Sequence, residues 1–167
     1  MTVASSGTAT VALPTDDQIL ITREFDAPKH LVYKAWTTPE LVRRWWNAKR
    51  GEVTIAEIDL RVGGNWRYVM VTPDGTEVGF HGEYREIVPN ERIVSTETFE
   101  GLPEGVSEEE GTTVNTATLT EMDGRTTLMI LIQAPSKASR DAIIESGMEA
   151  GMQDAMDLLE QVAISLR

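Results

Sequence analysis

The stretch that decides the fold is residues 139–166, SRDAIIESGMEAGMQDAMDLLEQVAISL. Its apolar side chains recur at steps of three and four, which places them on one stripe of a predicted α-helix. The stripe comprises Ile144, Met148, Met152, Ala155, Leu159, Val162 and Leu166. At ~1.5 Å per residue this helix is roughly 40 Å long. Such a stripe needs a broad apolar partner, and because the rest of the chain reads mostly as β-strands, we predict a sheet.

The two halves of this stripe differ in character. The first half carries Met148 and Met152 together with Gly147 and Gly151, whereas the second half carries Leu, Val and Ala. Each glycine inside a helix costs ~1 kcal/mol relative to alanine, so two of them indicate close approach by another group. We interpret the first half as the lining of a cavity and the second half as the seal of a core. Tight helix–sheet packing, with methionine filling gaps, is the alternative.

Length and charge limit the classes of protein. A chain of 167 residues with a net charge of −12 is predicted to form a single domain over 15–167, after a disordered tail at 1–14. The acidity argues against nucleic acid or an anionic membrane as a partner, since phosphate binding needs Lys and Arg. There is no cysteine, which excludes disulfides and thiolate ligands.

The sequence also contains no segment that is typical of a targeting signal. No apolar run approaches the ~20 residues of a membrane span. Residues 1–14 lack the basic start and the apolar core of a signal peptide. We therefore expect a cytoplasmic protein.

The remaining elements follow from periodicity and turn chemistry. Helical spacing predicts two short helices, at 30–36 and 39–46. Alternation predicts seven strands, at 18–25, 53–58, 65–71, 77–87, 92–99, 114–122 and 125–133. Short turns such as Asp123-Gly124 make consecutive strands antiparallel, while the acidic segment 101–113 is predicted to be an exposed loop. The predicted class is α+β: a curved antiparallel sheet wrapped around one long C-terminal helix.

Several motifs in this order resemble one family. They are FDAP at 25–28 with VYKAWT at 32–37, PEL at 39–41 with RWW at 44–46, DLRVGG at 59–64 with WR at 66–67, PDG at 73–75, and GEY at 82–84. This set resembles the Hsp90-ATPase-activator-homologue-like group of the START/Bet v 1-like (SRPBCC) superfamily. The resemblance implies a helix-grip fold, in which a sheet grips the C-terminal helix over a cavity. Where the family often has Gly-Trp on the last helix, this chain has Gly151-Met152, which exchanges a rigid wall for a flexible one.

Alternation selects the candidate cavity residues. Trp66, Tyr68 and Met70 share one strand face, which we expect to lie opposite the helix methionines. The predicted ligand-binding set is Trp36, Trp45, Trp66, Tyr68, Met70, Phe80, Tyr84, Thr96, Thr98, Met148, Gly151 and Met152. Adjacent Trp45 and Trp46 cannot point the same way on a helix, and the sequence leaves open which one faces the cavity. An aromatic core with no void is the alternative.

Candidates for catalysis are sparse. His81 is the best general base by residue type, but its strand parity places it on the solvated face of the sheet. Glu57 and Asp59 could pair as carboxylates, although a solvated edge explains them more simply. The chain's two histidines, His30 and His81, lack metal-binding spacing, and we expect neither a metal nor a cofactor. No catalytic triad or nucleophile is visible.

The leading hypothesis is that the protein binds a small hydrophobic or aromatic molecule. The resemblance implies two alternatives. One is a polyketide cyclase or aromatase-like enzyme, which would gain rate by holding a flexible substrate in a reactive shape. The other, ranked last because no further domain precedes this one in the sequence, is an interaction with an Hsp90-type chaperone. The identity of the ligand and the formation of a homodimer stay open.

Overall fold

The structure, a computed structural model, describes residues 8–167 and contains one antiparallel sheet and four helices. The strands are β1 (Thr10–Ala12), β2 (Gln18–Phe25), β3 (Glu52–Ile58), β4 (Asn65–Val71), β5 (Glu77–Val88), β6 (Arg92–Phe99), β7 (Thr112–Met122) and β8 (Arg125–Gln133). The helices are α1 (Lys29–Thr37), α2 (Pro39–Trp45), α3 (Lys137–Glu145) and α4 (Met148–Ser165). The predicted α+β helix-grip class is confirmed.

The sheet runs in the order β1-β2-β8-β7-β6-β5-β4-β3. β2 pairs with β8 from Gln18↔Gln133 to Phe25↔Thr126, so the first predicted strand lies beside the last. Register shifts at Thr54 in β3 and near Arg85 in β5 interrupt the ladders. Such bulges bend strands and increase their twist, which helps the sheet to curve around α4.

The predicted seven strands are present, and four of them have the predicted bounds. The hairpin between β7 and β8 turns at Asp123 and Gly124, whose φ angles of 53° and 75° are both positive, as a type I′ turn requires. Within the described residues no helix is long and apolar enough to cross a membrane.

The predicted disordered tail is wrong over part of its length. Thr10–Ala12 forms the edge strand β1 and pairs with β2, while residues 1–7 lie outside the described part of the chain. The side chain of Gln153 on α4 accepts a hydrogen bond from the backbone N–H of Ala9 (2.9 Å) and donates one to its carbonyl oxygen (2.8 Å). Backbone pairing therefore orders a three-residue segment that is too short for its alternation to predict a strand.

The prediction of one continuous C-terminal helix is also wrong. The run divides into α3 and α4 at Ser146 and Gly147, and Gly147 has a φ of +82°. That left-handed conformation ends an α-helix and suits glycine, which lacks a Cβ. α3 therefore leaves the direction of α4, and Ile144, predicted to lie on the apolar stripe, is 38% exposed.

The solid part of the core lies around the second half of α4. This half packs against α1 and α2 and faces β2. The most deeply buried apolar side chains include Ile19, Phe25, Val32, Val42, Leu128 and Leu159. Arg23 points into this region from β2, with no exposed surface, and its guanidinium binds Asp157 (2.7 Å) and Glu160 (3.0 Å) on α4.

Candidate ligand-binding site

A cavity of about 530 Å³ lies between the concave face of the sheet and the first half of α4. Strands β2 and β4 to β8 form one wall, and α1, α2 and α4 contribute to the others. This volume is within the range of ~300–1,000 Å³ that is typical of small-molecule sites. The interior is therefore hollow at this end of α4, contrary to the alternative of an aromatic core without a void.

Aromatic rings line the sheet side of the cavity and contact one another. Trp46 meets Tyr68 edge-on, with 5.5 Å between ring centroids, and Phe80 at 5.9 Å. Trp66 lies 4.8 Å from Tyr68. Edge and tilted contacts at these distances are the favoured arrangements of aromatic pairs, so the rings form a continuous apolar surface with fixed orientation.

A hydrogen bond that passes over the neighbouring strand β5 fixes the position of the Trp66 ring. Its indole N–H donates to the carbonyl oxygen of Thr96, at 3.2 Å. The ring reaches this oxygen by crossing over Gly82, where a Cβ atom would collide with the same carbonyl and with the indole nitrogen. The Glu83 N–H donates instead to the Thr96 hydroxyl (2.9 Å), so the interrupted ladder keeps its hydrogen bonds. Gly82 thus lets Trp66 lie flat on the cavity wall.

The helix side of the cavity is made of methionine and small residues. Met148, Met152, Ala155 and Met156 line it. Gly151 also lines it, and a Cβ built there would meet no described atom within 4 Å. The expectation that Gly151 allows close approach by another group is therefore wrong, because this glycine widens the open space instead.

The structure brings ten of the twelve predicted residues to the cavity. They are Trp36, Trp45, Trp66, Tyr68, Met70, Phe80, Tyr84, Met148, Gly151 and Met152. Both tryptophans of the adjacent pair also line it. Trp45 is 7% exposed and donates its indole N–H to the carbonyl of Ala35 (2.9 Å), whereas Trp46 is partly buried between the cavity rings.

Thr96 and Thr98 do not line the cavity, which corrects the predicted set. On β6 the cavity face belongs to Ile93, Ser95 and Glu97, and side chains alternate between the faces of a strand. The two threonines therefore point to the other face, where the Thr98 hydroxyl is 2.7 Å from that of Thr112. In the sequence, the apolar Ile93 indicates which face of this strand points inward, and Ser95 and Glu97 alternate onto that same face.

A polar row that the sequence analysis missed crosses this otherwise apolar wall. It consists of Ser95 and Glu97 on β6 and Asn115 on β7. Burial raises the pKa of the Glu97 carboxyl, and a hydrogen bond with Asn115 opposes that rise. The Thr113 hydroxyl donates to Asn115 Oδ1 (2.8 Å), which leaves the amide N–H groups of Asn115 for Glu97. The cavity thus contains a carboxyl group in a weakly solvated environment.

Two phenols add to the polar groups of the cavity. The hydroxyls of Tyr68 and Tyr84 are hydrogen-bonded to each other, and burial raises the pKa of each. Both therefore remain neutral at physiological pH and are available to ligands as hydrogen-bonding groups rather than as bases.

The cavity reaches the surface between two backbone segments. Ala48 and Arg50 follow α2, and Ser146 and Gly147 join α3 to α4. Arg50 is partly exposed and forms a 2.7 Å ion pair with Asp154 on α4. This pair bridges the segment after α2 and the helix wall, so it lies at the mouth of the cavity.

The residues that the sequence offers as acid–base catalysts lie outside the cavity. His81 is on the outer face of the sheet, where Nδ1 is 2.8 Å from a Glu100 oxygen. Glu57 is exposed, and Asp59 pairs with Arg61 at 2.9 Å. Across residues 8–167, no group of three or more His, Cys, Asp or Glu side chains could hold a metal ion. Among the described residues that line the cavity, the carboxyl group belongs to Glu97.

The fold is a helix-grip fold with a cavity between its sheet and α4. The sequence model of the family described as Activator of Hsp90 ATPase homolog 1-like protein matches residues 26–163. The chain belongs to this family, which confirms the resemblance seen in the motifs. Its superfamily often binds hydrophobic ligands. A comparison with curated proteins found no match.

Solved structures show the same fold. A crystal structure of a protein from Rhodobacter sphaeroides has a TM-score of 0.85 at 23% identity, covering 95% of this chain and 99% of that one. A solution structure of a protein from Arthrobacter aurescens has a TM-score of 0.81 at 27% identity, covering 93% and 91%. An AHSA1-like protein from Aeromonas hydrophila has a TM-score of 0.67 at 19% identity, covering 88% and 93%.

Proposed function

We propose that this protein binds a small hydrophobic or aromatic molecule in the cavity beside the first half of α4. The observation that carries the proposal is the hollow itself, about 530 Å³ of space walled mainly by aromatic rings and methionine. A wall of this kind gains free energy whenever an apolar guest replaces water, at about 25 cal/mol per Å² of apolar surface buried.

The composition of the wall supports a guest with an aromatic body. Trp46, Trp66 and Tyr68 present ring faces and edges at fixed positions, and aromatic groups stack on such surfaces with a gain beyond area burial alone. Met148 and Met152 lie opposite on flexible stems, so the helix wall can adapt to guests of different outline.

Gly151 provides the test because its missing side chain opens into the cavity. In Gly151→Leu, the new side chain occupies space that a guest needs, and we expect the affinity for Nile red, a neutral apolar dye, to fall about tenfold or more, equivalent to ~1.4 kcal/mol. The dye is titrated against purified protein, with its own emission as the readout. The matched control is Ala150→Leu, which adds the same side chain at an exposed neighbouring position of α4.

The proposal fails if wild-type protein shows no saturable dye binding, or if Gly151→Leu and Ala150→Leu bind the dye equally well. Met152→Trp gives a second check, since it restores the tryptophan that the family often has at this position and fills part of the same space. An unchanged affinity in that variant also argues against a guest between the helix and the sheet.

One observation favours a second function, catalysis of the polyketide cyclase or aromatase kind. Glu97 lies inside the cavity near the Tyr68–Tyr84 pair, and a carboxyl whose pKa is raised by burial suits proton transfer near neutral pH. The test is to incubate the protein with a linear poly-β-ketone and follow the absorbance of a cyclised aromatic product. Turnover that is lost in Glu97→Gln supports the enzyme, and a rate equal to that in buffer rejects it.

A further inference from the structure

Glu97 is the one acidic side chain among the described residues that line the cavity. It projects from β6, in the interior of the sheet, with three strands on one side and four on the other. Its neighbours on the cavity wall, Ser95 and Asn115, are polar but neutral. The carboxyl group therefore belongs to a central strand of the sheet wall and is partly buried there.

Among the described residues that line the wall, none places a cation beside this acid. The cationic side chain among the described lining residues is Arg50, at the mouth, and its guanidinium already binds Asp154 at 2.7 Å. A carboxylate removed from water without a cation is disfavoured, and a positive group brought close to it recovers that cost. Burial raises the pKa of the Glu97 carboxyl, and a cationic group placed beside it would oppose that rise.

The rest of the wall also suits a cation. Tryptophan and tyrosine ring faces attract ammonium groups, and the attraction is stronger where the site is desolvated. Trp66 and Tyr68 lie together on the wall that bears these polar groups. The net charge of −12 adds a long-range field that concentrates cations and repels anions.

We infer that the natural guest has an aromatic or apolar body and one basic nitrogen, and that its ammonium group pairs with the Glu97 carboxylate between the tyrosine and tryptophan rings. This inference rests on the proposed function, because it names the chemical class of the molecule that the cavity takes. The apolar body fills the space beside Met148 and Met152, and the ammonium supplies the cation that the wall lacks.

Three probes of nearly equal size separate charge from shape. They are 1-naphthylmethylamine, which is a cation at pH 7, the neutral 1-naphthylmethanol, and the anion 1-naphthoate. Each is titrated by calorimetry into wild-type protein, Glu97→Gln and Glu149→Gln. Glu149 is exposed on α4 outside the cavity, so its variant removes one negative charge from the protein and leaves the wall intact.

In wild-type protein we expect the amine to bind at least about tenfold more tightly than the alcohol, and the anion to bind most weakly. Glu97→Gln loses the preference for the amine and keeps the affinity for the alcohol, while Glu149→Gln retains the wild-type preference. If Glu97→Gln does not fold, the ranking of the three probes on wild-type protein decides the matter.

Two results would overturn the inference while the proposed function stands. One is saturable Nile red binding to wild-type protein without tighter binding of the amine than of the alcohol, including the case in which neither naphthyl probe binds. The other is a preference for the amine that survives in Glu97→Gln. If Nile red also fails to bind, the proposed function falls together with the inference.

Discussion

The two halves of α4 differ in what they contact, although they belong to one helix. The half that contains Leu159, which has no exposed surface, belongs to the buried core beside α1 and α2 and is paired with Arg23 of β2. The half that contains Met152 borders a cavity of about 530 Å³. Stability and the candidate site are thus separated along one helix, and the helix can lose packing at one end because the other end is fully packed.

The largest expected effect is a loss in the free energy of unfolding when the ion pairs of the two halves of α4 are broken. Arg23→Ala removes the guanidinium from Asp157 and from Glu160, which is 8% exposed. Leaving a buried carboxylate without its cation costs about 3–5 kcal/mol. Urea denaturation measures the loss in the free energy of unfolding.

Arg50→Ala is the matched control in the hollow half. It breaks the partly exposed pair with Asp154, and we expect a loss below ~1 kcal/mol. Equal losses in the two variants would show that the ends of α4 do not differ in this way.

The next largest loss in the free energy of unfolding is expected when one apolar side chain in each half of α4 is shortened. Leu159→Ala leaves a void in a packed region and costs about 2–5 kcal/mol. Met152 already borders open space, so Met152→Ala loses only part of the burial energy of a methionine, about 1 kcal/mol. Urea denaturation checks both, and a Met152→Ala loss as large as that of Leu159→Ala would contradict the hollow.

The two glycines of the C-terminal run are expected to respond in opposite directions. Gly147 has a φ of +82°, and a residue with a Cβ in that conformation costs about 1–2 kcal/mol. Gly151 is helical and faces open space, so Gly151→Ala stabilises the protein by up to ~1 kcal/mol. Thermal unfolding should therefore show a lower Tm for Gly147→Ala and a higher one for Gly151→Ala. A lower Tm in both would mean that Gly151 is closely packed.

The smallest effect is a pH dependence at Glu97. Its pKa is raised above the usual 4.5 by burial, so above that pH the folded state holds a proton that the unfolded state has released, and stability falls as the pH rises towards the folded pKa. Tyr68 and Tyr84 remain neutral throughout because their pKa values are also raised. Wild-type Tm should fall relative to that of Glu97→Gln as the pH rises above about 4.5, where the unfolded state releases this proton first. A constant difference would contradict this.

Much of the fold could be predicted from the sequence, because alternation and turn chemistry act locally. β4, β6 and β8 have the bounds that their alternation predicts. β1 could not be predicted, since it is stabilised by backbone pairing with β2 and by a side chain 144 residues away. The break at Gly147 was missed because an interior glycine and a helix-ending glycine look alike in an apolar stripe, and the φ angle alone distinguishes them.

The apolar part of the candidate site was predictable, and the polar part was not. Trp66 and Tyr68 share parity on a strand whose alternation is clear, so their face could be assigned. On β6 the threonines were assigned to the cavity, and no role was predicted for Glu97, because a charged side chain is normally on the outside. The structure places Glu97 at the cavity and the two threonines on the other face. A buried acid is an exception to the rule that charged side chains lie on the surface, so the residue pattern alone does not predict it.

The contact between Ala9 and Gln153 has a practical consequence. Two hydrogen bonds tie the outermost strand of the sheet to the half of α4 that borders the cavity. A deletion that removes residues 8–12 would therefore take this support away from the cavity wall, although none of these described residues lines the cavity. Binding measurements are therefore best made with the affinity tag at the C-terminal end of the chain.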